Sequence, residues 1–294
     1  MYDVAALGEL LIDFTCLSTD TDGYPTMAAH PGGAPANYLA ALTKFGAKTA
    51  MIGKVGNDAF GRLLIKTLKG TGIDTRGMLV SDDVFTTLAF VTLDDSGNRE
   101  FSFARKPGAD TQLRFDEIDL GVIDASKVLH FGTLSMTNEP ARDATYKAVE
   151  YAAGRGKLIS FDPNLRKPLW NDLDEAKRQM LWGLRHADVV KISDEETEFL
   201  FSLAPEESAK HIINSFGVRL VYVTCGAEGC FYRTKTASGF VKALSGIAVK
   251  DTTGAGDIFG GSAMYGLLRA GGVPEKLTAE ELENIVSFAC ASAG

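Results

Sequence analysis

The sequence predicts an α/β protein in which a mostly parallel sheet is accompanied by a small second β-structure. Along most of the chain, short apolar runs alternate with segments whose apolar residues recur at helical spacing, which is typical of strands and helices alternating around a parallel sheet. Two alternating, β-branched or aromatic segments, 86–93 and 99–105, flank the turn-forming residues 94–98 and interrupt that pattern. With 294 residues, 45% hydrophobic and 23% charged, the chain suits one large domain over 1–294.

Charge and composition exclude several classes of protein. The net charge is −8, the isoelectric point is about 5.1, and Lys and Arg form no run, so we expect no binding to nucleic acid or to a membrane surface. No apolar stretch approaches the roughly 20 residues of a membrane span, and residues 1–7 lack the basic region of a signal peptide. Four cysteines without CxxC spacing indicate reduced thiols and a cytoplasmic location.

The spacing of apolar residues and the positions of glycines predict the individual strands and helices. In the first half we predict strands over 4–7, 10–14 and 47–53 and helices over 35–45 and 58–70. The residues of the 58–70 helix expected to face inward are Phe60, Leu63, Leu64 and Leu68. In the second half we predict strands over 128–131, 158–162, 188–192, 220–224 and 246–249 and helices over 140–153, from 193, from 257 and over 279–294. The 86–105 hairpin between the halves predicts a small β-appendage rather than part of the main sheet.

Polar side chains recur where the predicted parallel strands end. They are Asp13, Asn164, Arg166, Glu196, Thr224 and Asp257. For any one of them a solvated strand end is an ordinary explanation, and for Asp13 the two readings are evenly matched. Because the carboxyl ends of parallel strands meet at one edge of a sheet, their coincidence favours a ligand crevice there.

The segment 251–257, Asp-Thr-Thr-Gly-Ala-Gly-Asp, predicts an anion site at a helix N-terminus. Gly254 and Gly256 allow a sharp bend and a close approach, and the first helical N–H groups are free to bind a phosphate. A tight turn with Asp257 complementing the helix dipole is the alternative. Two better-known phosphate motifs do not match: a dinucleotide fingerprint needs glycine where Phe259 stands, and the segment 56–63 lacks the lysine and hydroxyl of a P-loop.

A second glycine pair, Gly32-Gly33, precedes the helix that contains Asn37. The Asn37 side chain offers donors and an acceptor suited to sugar hydroxyls. Taken alone, the pair is as well explained by an ordinary glycine-rich start of a helix.

The motifs together resemble the PfkB, or ribokinase-like, carbohydrate kinases, and most closely the fructokinases among them. Residues 32–37 resemble the first signature of the family and residues 251–257 the second. The intervening fructokinase-like segments are 53–58, 105–110, 161–166 and 191–196. Six motifs in order are far more specific than any one of them, and the similarity extends from the first strand to the last residue.

The resemblance implies a ribokinase-like three-layer sandwich with a β-sheet lid formed by about 14–30 and 84–110. It implies ATP-dependent phosphorylation of a sugar hydroxyl, with D-fructose converted to fructose 6-phosphate. Asp257 would be the general base, and the backbone of Gly254, Ala255, Gly256 and Asp257 the anion hole. The residues implied to contact the sugar are Asp13, Gly33, Asn37, Arg105, Asn164 and Asp257, with Arg105 reaching from the lid.

The resemblance also implies a nucleotide site and two metal sites. The residues implied along the nucleotide are Lys191, Thr224, Gly226, Gly229, Gly254 and Gly256. Glu196 would organise Mg²⁺ through water, although Ser193 stands where the family usually has asparagine. Asp251 and Thr253 match positions that hold a monovalent cation such as K⁺ in relatives.

Several alternatives stay open at this stage. One is a kinase of the same family for ribose, a nucleoside or 2-keto-3-deoxygluconate, and another is a sugar- or nucleotide-binding regulator without catalysis. A homodimer could form through the β lid. Because relatives continue past the position of Gly294 with residues that close the adenine pocket, we also expect the sequence to be truncated there.

Overall fold

The computed structural model describes residues 1–93, 99–244 and 254–294, and its elements alternate as expected. The strands are β1 (Tyr2–Leu7), β2 (Leu11–Thr19), β3 (Pro25–Gly32), β4 (Thr49–Gly56), β5 (Asp74–Ser81), β6 (Leu88–Leu93), β7 (Arg99–Ala104), β8 (Ser126–Gly132), β9 (Leu158–Asp162), β10 (Val189–Ser193), β11 (Leu220–Thr224), β12 (Gly229–Arg233) and β13 (Ser238–Lys242). The helices are α1 (Ala34–Lys44), α2 (Ala59–Thr71), α3 (Leu120–Asp124), α4 (Ala141–Gly154), α5 (Leu173–His186), α6 (Asp194–Phe201), α7 (Pro205–Phe216), α8 (Ala255–Arg269) and α9 (Ala279–Ala293).

The central sheet is mostly parallel and its two faces are both covered. Its strand order is β13-β12-β11-β10-β9-β8-β1-β4-β5, and among these described strands the pairs β11–β12 and β12–β13 are antiparallel while the others are parallel. In β1, Ala5 and Leu7 belong to the core on one face, whereas Val4 and Ala6 belong to the core on the other. A continuous apolar run is what a strand buried on both faces requires.

Two groups of helices form the outer layers. Apolar side chains of α4, α5 and α7 complete one core, and those of α1, α2, α8 and α9 complete the other. The three-layer arrangement and the mostly parallel sheet predicted from the sequence are therefore confirmed. Within the described residues no helix is both long enough and apolar enough to cross a membrane.

The second sheet has four strands in the order β3-β2-β6-β7. It contains the predicted hairpin, now seen as the antiparallel pair β6–β7, while its turn at 94–98 lies outside the described residues. Phe14 of β2 stacks on Phe90 of β6 at 5.2 Å and meets Phe60 of α2 edge-on at 5.6 Å, so aromatic packing attaches this sheet to the helix layer. The closing movement of a lid stays a prediction.

Some details of the prediction differ from the structure. Leu63 was expected to face inward and is 39% exposed, because Leu64 and Leu68, four residues apart, define the buried stripe of α2 and Leu63 lies on its flank. The edge strand β5 and the antiparallel strands β12 and β13 were not predicted. The predicted strand 246–249 lies outside the described residues.

Candidate active site

The candidate site lies where the N-termini of α1 and α8 meet the carboxyl ends of the parallel strands. Asp257 occupies the first turn of α8 and is 8% exposed. Asn37 of α1 donates a hydrogen bond from Nδ2 to Asp257 Oδ2 at 2.9 Å. A Cβ on Gly254 would lie 3.2 Å from Asn37 Nδ2, so the absence of a side chain at this position permits the close approach. The structure thus brings Asn37, Gly254 and Asp257 together, as predicted.

No side chain among the described residues caps the N-terminus of α8. Gly254, the residue before the helix, has φ 77°, a left-handed conformation that favours glycine. The backbone N–H groups at the start of α8 therefore keep unused donors and partial positive charge. This geometry suits the binding of an anion.

Charges around Asp257 act on its carboxyl in opposite directions. Burial raises the pKa of Asp257, and Glu196 adds to that rise. The hydrogen bond from Asn37 and the positive charges of Lys191 and Arg166 lower the pKa again. A desolvated carboxylate whose pKa is raised is suited to accept a proton.

Asp13 and the first glycine pair form the neighbouring part of the site. A Cβ on Gly32 would lie 2.0 Å from Asp13 Oδ2, so this carboxylate requires glycine beside it. Gly33 has φ 117°, and its Cβ would lie 2.5 Å from the backbone oxygen of Glu9. Burial raises the pKa of Asp13, as does Asp257, whereas Arg166 lowers it. Asp13 therefore shares one electrostatic environment with Asp257.

At the N-terminus of α1, a side chain accepts the first backbone N–H and the next residue has none. The Ala34 N–H donates to Glu9 Oε1 at 2.9 Å, and Pro35 has no N–H to offer. Glu9 is 2% exposed, and burial raises its pKa to about 7. Glu9 was not predicted as a site residue; an acid between two apolar runs was the available signal.

Asn164 lies in a turn that α6 holds in place. Asn164 is buried with φ 46°, and its N–H donates to Asp162 Oδ1 at 3.2 Å. Glu196 accepts from the Leu165 N–H at 2.7 Å and from the Ser193 N–H at 2.9 Å. Because both Glu196 oxygens accept backbone N–H groups, this side chain positions the turn, and its part in a water-mediated Mg²⁺ site stays a prediction.

Lys191 and Asp162 form a buried ion pair beneath the site. The Lys191 ammonium lies 3.1 Å from Asp162 Oδ2, with the two side chains 13% and 7% exposed. Burial raises the pKa of Asp162 to about 7, and the ammonium opposes that rise. Asp162 was not predicted as a site residue, although, like Asp13, it is an acid that ends an apolar run.

Arg105 is held by protein groups. It is 6% exposed, lies 2.6 Å from Asp110 Oδ2, and donates to Thr137 Oγ1 at 2.7 Å and to the Leu134 carbonyl at 2.9 Å. It connects the end of β7 to the segment after β8. Its contact with a sugar stays a prediction.

Three of the predicted nucleotide residues, Thr224, Gly226 and Gly229, lie around the turn between β11 and β12. Thr224 ends β11, and its hydroxyl donates to the Ile192 carbonyl at 3.4 Å. Gly226 has φ 51°, and Gly229 has φ 132° with no room for a Cβ, which would lie 2.0 Å from the Val241 oxygen. Asp251 and Thr253 lie outside the described residues.

Comparisons with known proteins show the family of this chain. The family model that matches the chain over residues 1–294 is described as pfkB family carbohydrate kinase. Probable fructokinase-4 of Arabidopsis thaliana is 43% identical over 265 residues, covering 89% of this chain and 81% of the relative. Fructokinase-2 of Solanum lycopersicum is 41% identical over 297 residues, covering 98% and 88%.

Solved structures show the same fold. Fructokinase with bound ATP from Xylella fastidiosa has a TM-score of 0.91 at 29% identity and covers 100% of this chain and 91% of its own. Fructokinase from Vibrio cholerae O395 in a form bound to fructose, ADP and calcium ion has a TM-score of 0.86 at 32% identity, covering 100% and 92%. The resemblance expected from the sequence motifs is confirmed, and this chain belongs to the pfkB family of carbohydrate kinases.

Proposed function

We propose that this protein transfers the γ-phosphoryl group of ATP to a hydroxyl of D-fructose, giving fructose 6-phosphate and ADP. The observation that carries the proposal is the uncapped N-terminus of α8 beside the buried Asp257, whose carboxylate Asn37 orients at 2.9 Å. Phosphoryl transfer depends mainly on positioning and on stabilising negative charge. A base and a row of backbone donors in one helical turn provide both.

In the proposed reaction Asp257 accepts the proton of the sugar hydroxyl while the oxygen attacks the γ-phosphorus. The bond from phosphorus to the bridging oxygen of ADP breaks, and ADP leaves with that electron pair. The amides of Gly254, Ala255, Gly256 and Asp257 hold the phosphoryl oxygens. Since Asp257 is desolvated and near positive charge, it can act as a base without forming a covalent intermediate.

On the sugar side we propose Asp13, Gly33, Asn37, Arg105 and Asn164 as contacts. The half-buried carboxylate of Asp13 lies in the electrostatic environment of Asp257, and its two oxygens can accept hydrogen bonds from sugar hydroxyls, which supports this assignment. Arg105 would act from the small sheet, where its guanidinium is already positioned by Asp110. Binding of fructose by the Vibrio cholerae relative supports this choice of sugar.

On the nucleotide side we propose Lys191, Thr224, Gly226, Gly229, Gly254 and Gly256. The glycines at 226 and 229 have positive φ, and Gly226 is exposed in the turn that follows β11, where a residue without a side chain allows a flat ring to lie close to the chain. ATP bound to the Xylella fastidiosa relative and ADP bound to the Vibrio cholerae relative support this assignment.

The proposal includes a divalent cation, Mg²⁺, bound mainly by the nucleotide. Among the described residues no group of three or more His, Cys, Asp and Glu side chains could hold a metal directly, so Mg²⁺ would be held by ATP oxygens and water, with Glu196 behind the water. When bound, Mg²⁺ neutralises charge on the phosphates. A K⁺ site at Asp251 and Thr253 is part of the proposal from the resemblance alone.

The proposal includes a homodimer through the small sheet. Leu17 of β2 is 66% exposed and Tyr24, next to β3, is 71% exposed, and apolar side chains on an exposed sheet favour pairing with a second copy. Light scattering of the wild type and of Leu17→Glu tests this, and a monomeric wild type would contradict it.

A coupled assay tests the function. We expect ADP formation with ATP and fructose, and a lower kcat/KM for ribose, nucleosides and 2-keto-3-deoxygluconate. A higher kcat/KM for one of the other substrates would replace fructose in the proposal. Binding of sugar and ATP by calorimetry without any turnover would indicate a non-catalytic regulator.

A further inference from the structure

We propose that Lys191 and Asp162 are a positioning pair for phosphoryl transfer: Asp162 holds the Lys191 ammonium beneath the first turn of α8, where its charge stabilises the anionic form of the site. The inference rests on the proposed kinase function. It replaces the nucleotide contact proposed for Lys191 above with a role at the transferring phosphoryl group, because Lys191 lies against Gly256, and it adds Asp162, which the sequence analysis did not place in the site.

The pair is built by neighbouring strands. β9 and β10 are parallel, with Val189 opposite Ser160 and Val190 opposite Phe161, so the next residues along, Lys191 and Asp162, reach the same level. Their side chains meet at 3.1 Å and 3.3 Å to the two carboxylate oxygens. Because both strands are rigid parts of the central sheet, the ammonium has a defined position.

That position is directly under the anion hole. A Cβ on Gly256 would lie 2.9 Å from Lys191 Nζ. Gly256 does not have a positive φ, so its lack of a side chain provides space for the ammonium rather than a special backbone conformation. The charge therefore touches the turn that is proposed to hold the phosphoryl group.

A cation at this place does not serve the stability of the helix. The N-terminus of a helix already has partial positive charge, and positive side chains are favourable at the other end. A buried lysine there requires negative partners, and burial of both charges is costly. A buried ammonium at this position is explained if the site binds an anionic ligand, whose negative charge the ammonium stabilises.

Both carboxylates and cations surround the site. Carboxylates come from β2 (Asp13), β9 (Asp162), α6 (Glu196) and α8 (Asp257), and cations come from β10 (Lys191) and the turn after β9 (Arg166), while α1 contributes the neutral Asn37. Although burial lowers the pKa of Lys191, the carboxylates of Asp162, Glu196 and Asp257 raise it overall. Lys191 is therefore charged at neutral pH and lowers the pKa of Asp257.

The test variant is Lys191→Met, which keeps the length of the side chain and removes its charge. We expect kcat for fructose to fall at least about 10-fold, because a preorganised charge near the transferring group is lost. Affinity for ATP and the KM for fructose should change less than about 3-fold. The acid limb of the pH–kcat profile should move to higher pH, since Asp257 loses a cation that lowers its pKa.

Lys54→Met is the matched control. Lys54 of β4 is also a buried lysine, 2.8 Å from Glu117, but it contacts neither α8 nor Asp257 in any described interaction. We expect this variant to lose stability while keeping kcat and the pH profile. A fall in kcat equal to that of Lys191→Met would show that loss of any buried lysine is enough, and would overturn the proposal.

Asp162→Asn provides a second variant should Lys191→Met fail to fold. It preserves side-chain size and frees the ammonium, so kcat should fall, and the double variant should be no worse than Lys191→Met alone. A 10-fold loss of ATP affinity with unchanged kcat would assign Lys191 to the nucleotide instead. If kcat and the pH profile were unchanged in both single variants, the role proposed for the Lys191–Asp162 pair would be overturned while the proposed kinase function would stand. If the wild type formed no ADP in the presence of sugar and ATP, the proposed kinase function itself would be overturned.

Discussion

The two helix N-termini at the candidate site, those of α1 and α8, look alike in sequence and differ in structure. Each follows a glycine with positive φ, Gly33 at 117° and Gly254 at 77°. At α1, Glu9 accepts the first N–H at 2.9 Å and Pro35 has none. At α8 no described side chain occupies the first N–H groups, and Lys191 lies against the turn.

The difference separates two kinds of ligand. The surroundings of the α1 terminus contain the carboxyls Asp13 and Glu9, which repel an anion and suit hydroxyl groups. The α8 terminus has backbone N–H groups that no described side chain accepts, and a buried cation lies beside them, which suits a phosphoryl group. Asn37 links the two because it belongs to α1 and contacts Asp257 of α8. The ligand that each glycine-rich helix N-terminus suits thus depends on the charged side chain that packs against it, Glu9 at α1 and Lys191 at α8.

The largest expected effect is at the α8 terminus. We expect Asp257→Asn to fold normally and bind sugar, since its amide oxygen can still accept from Asn37, but to lose at least about 10²-fold in kcat, the low end for a positioned base. Steady-state kinetics with calorimetric sugar binding measure both. A kcat near that of the wild type would remove Asp257 from its role.

Arg105→Ala tests the sugar side. Removing Arg105 leaves Asp110 buried without its partner, so we expect a loss of about 3–5 kcal/mol in the free energy of unfolding. We also expect KM to rise more for the sugar than for ATP. Arg114→Ala is the control, because its pair with Asp116 is exposed and should contribute under about 1 kcal/mol. Equal changes of KM for both substrates would argue against a sugar-side role.

Glu9→Gln tests whether the α1 terminus depends on a protonatable cap. The pKa of Glu9 is raised from 4.5 to about 7 in the folded state, so its favourable contribution is complete below pH 4.5 and is lost as the pH rises through 7. We expect the unfolding free energy of the wild type, relative to Glu9→Gln, to fall by about 3 kcal/mol between pH 4.5 and pH 8. Urea titrations across this range measure it. A constant difference would show that Glu9 titrates normally.

The smallest effects compare one glycine from each terminus. Gly33→Ala combines a positive φ with a backbone oxygen at 2.5 Å and should cost about 1–3 kcal/mol of stability. Gly256→Ala meets only the flexible end of Lys191 and should change stability by less than about 1 kcal/mol, while still lowering kcat. Thermal unfolding measures the stability of the two variants, and steady-state kinetics measures their kcat. A lower stability of Gly256→Ala than of Gly33→Ala would contradict the expected difference between the two helix N-termini.

The sequence predicted most elements because their signals are local. Apolar runs, helical spacing and glycine positions identified α1, β9, β11 and α9 within a few residues of their observed bounds. Asp257 was placed in a first helical turn for the same reason. Where the signal depended on neighbours in space, as for the flank position of Leu63 and for the edge strand β5, the prediction was wrong or missing.

The α/β class, the two glycine turns and the polar residues that end the strands could be predicted from local patterns, because each depends on residues two to four positions apart. Which of these groups meet depends on tertiary packing. Asn37 reaches Asp257 across 220 positions, Glu9 reaches Ala34 across 25, and Lys191 reaches Asp162 across 29. Those contacts depend on strand order and helix packing, which arise from burial over the whole chain rather than from any local pattern.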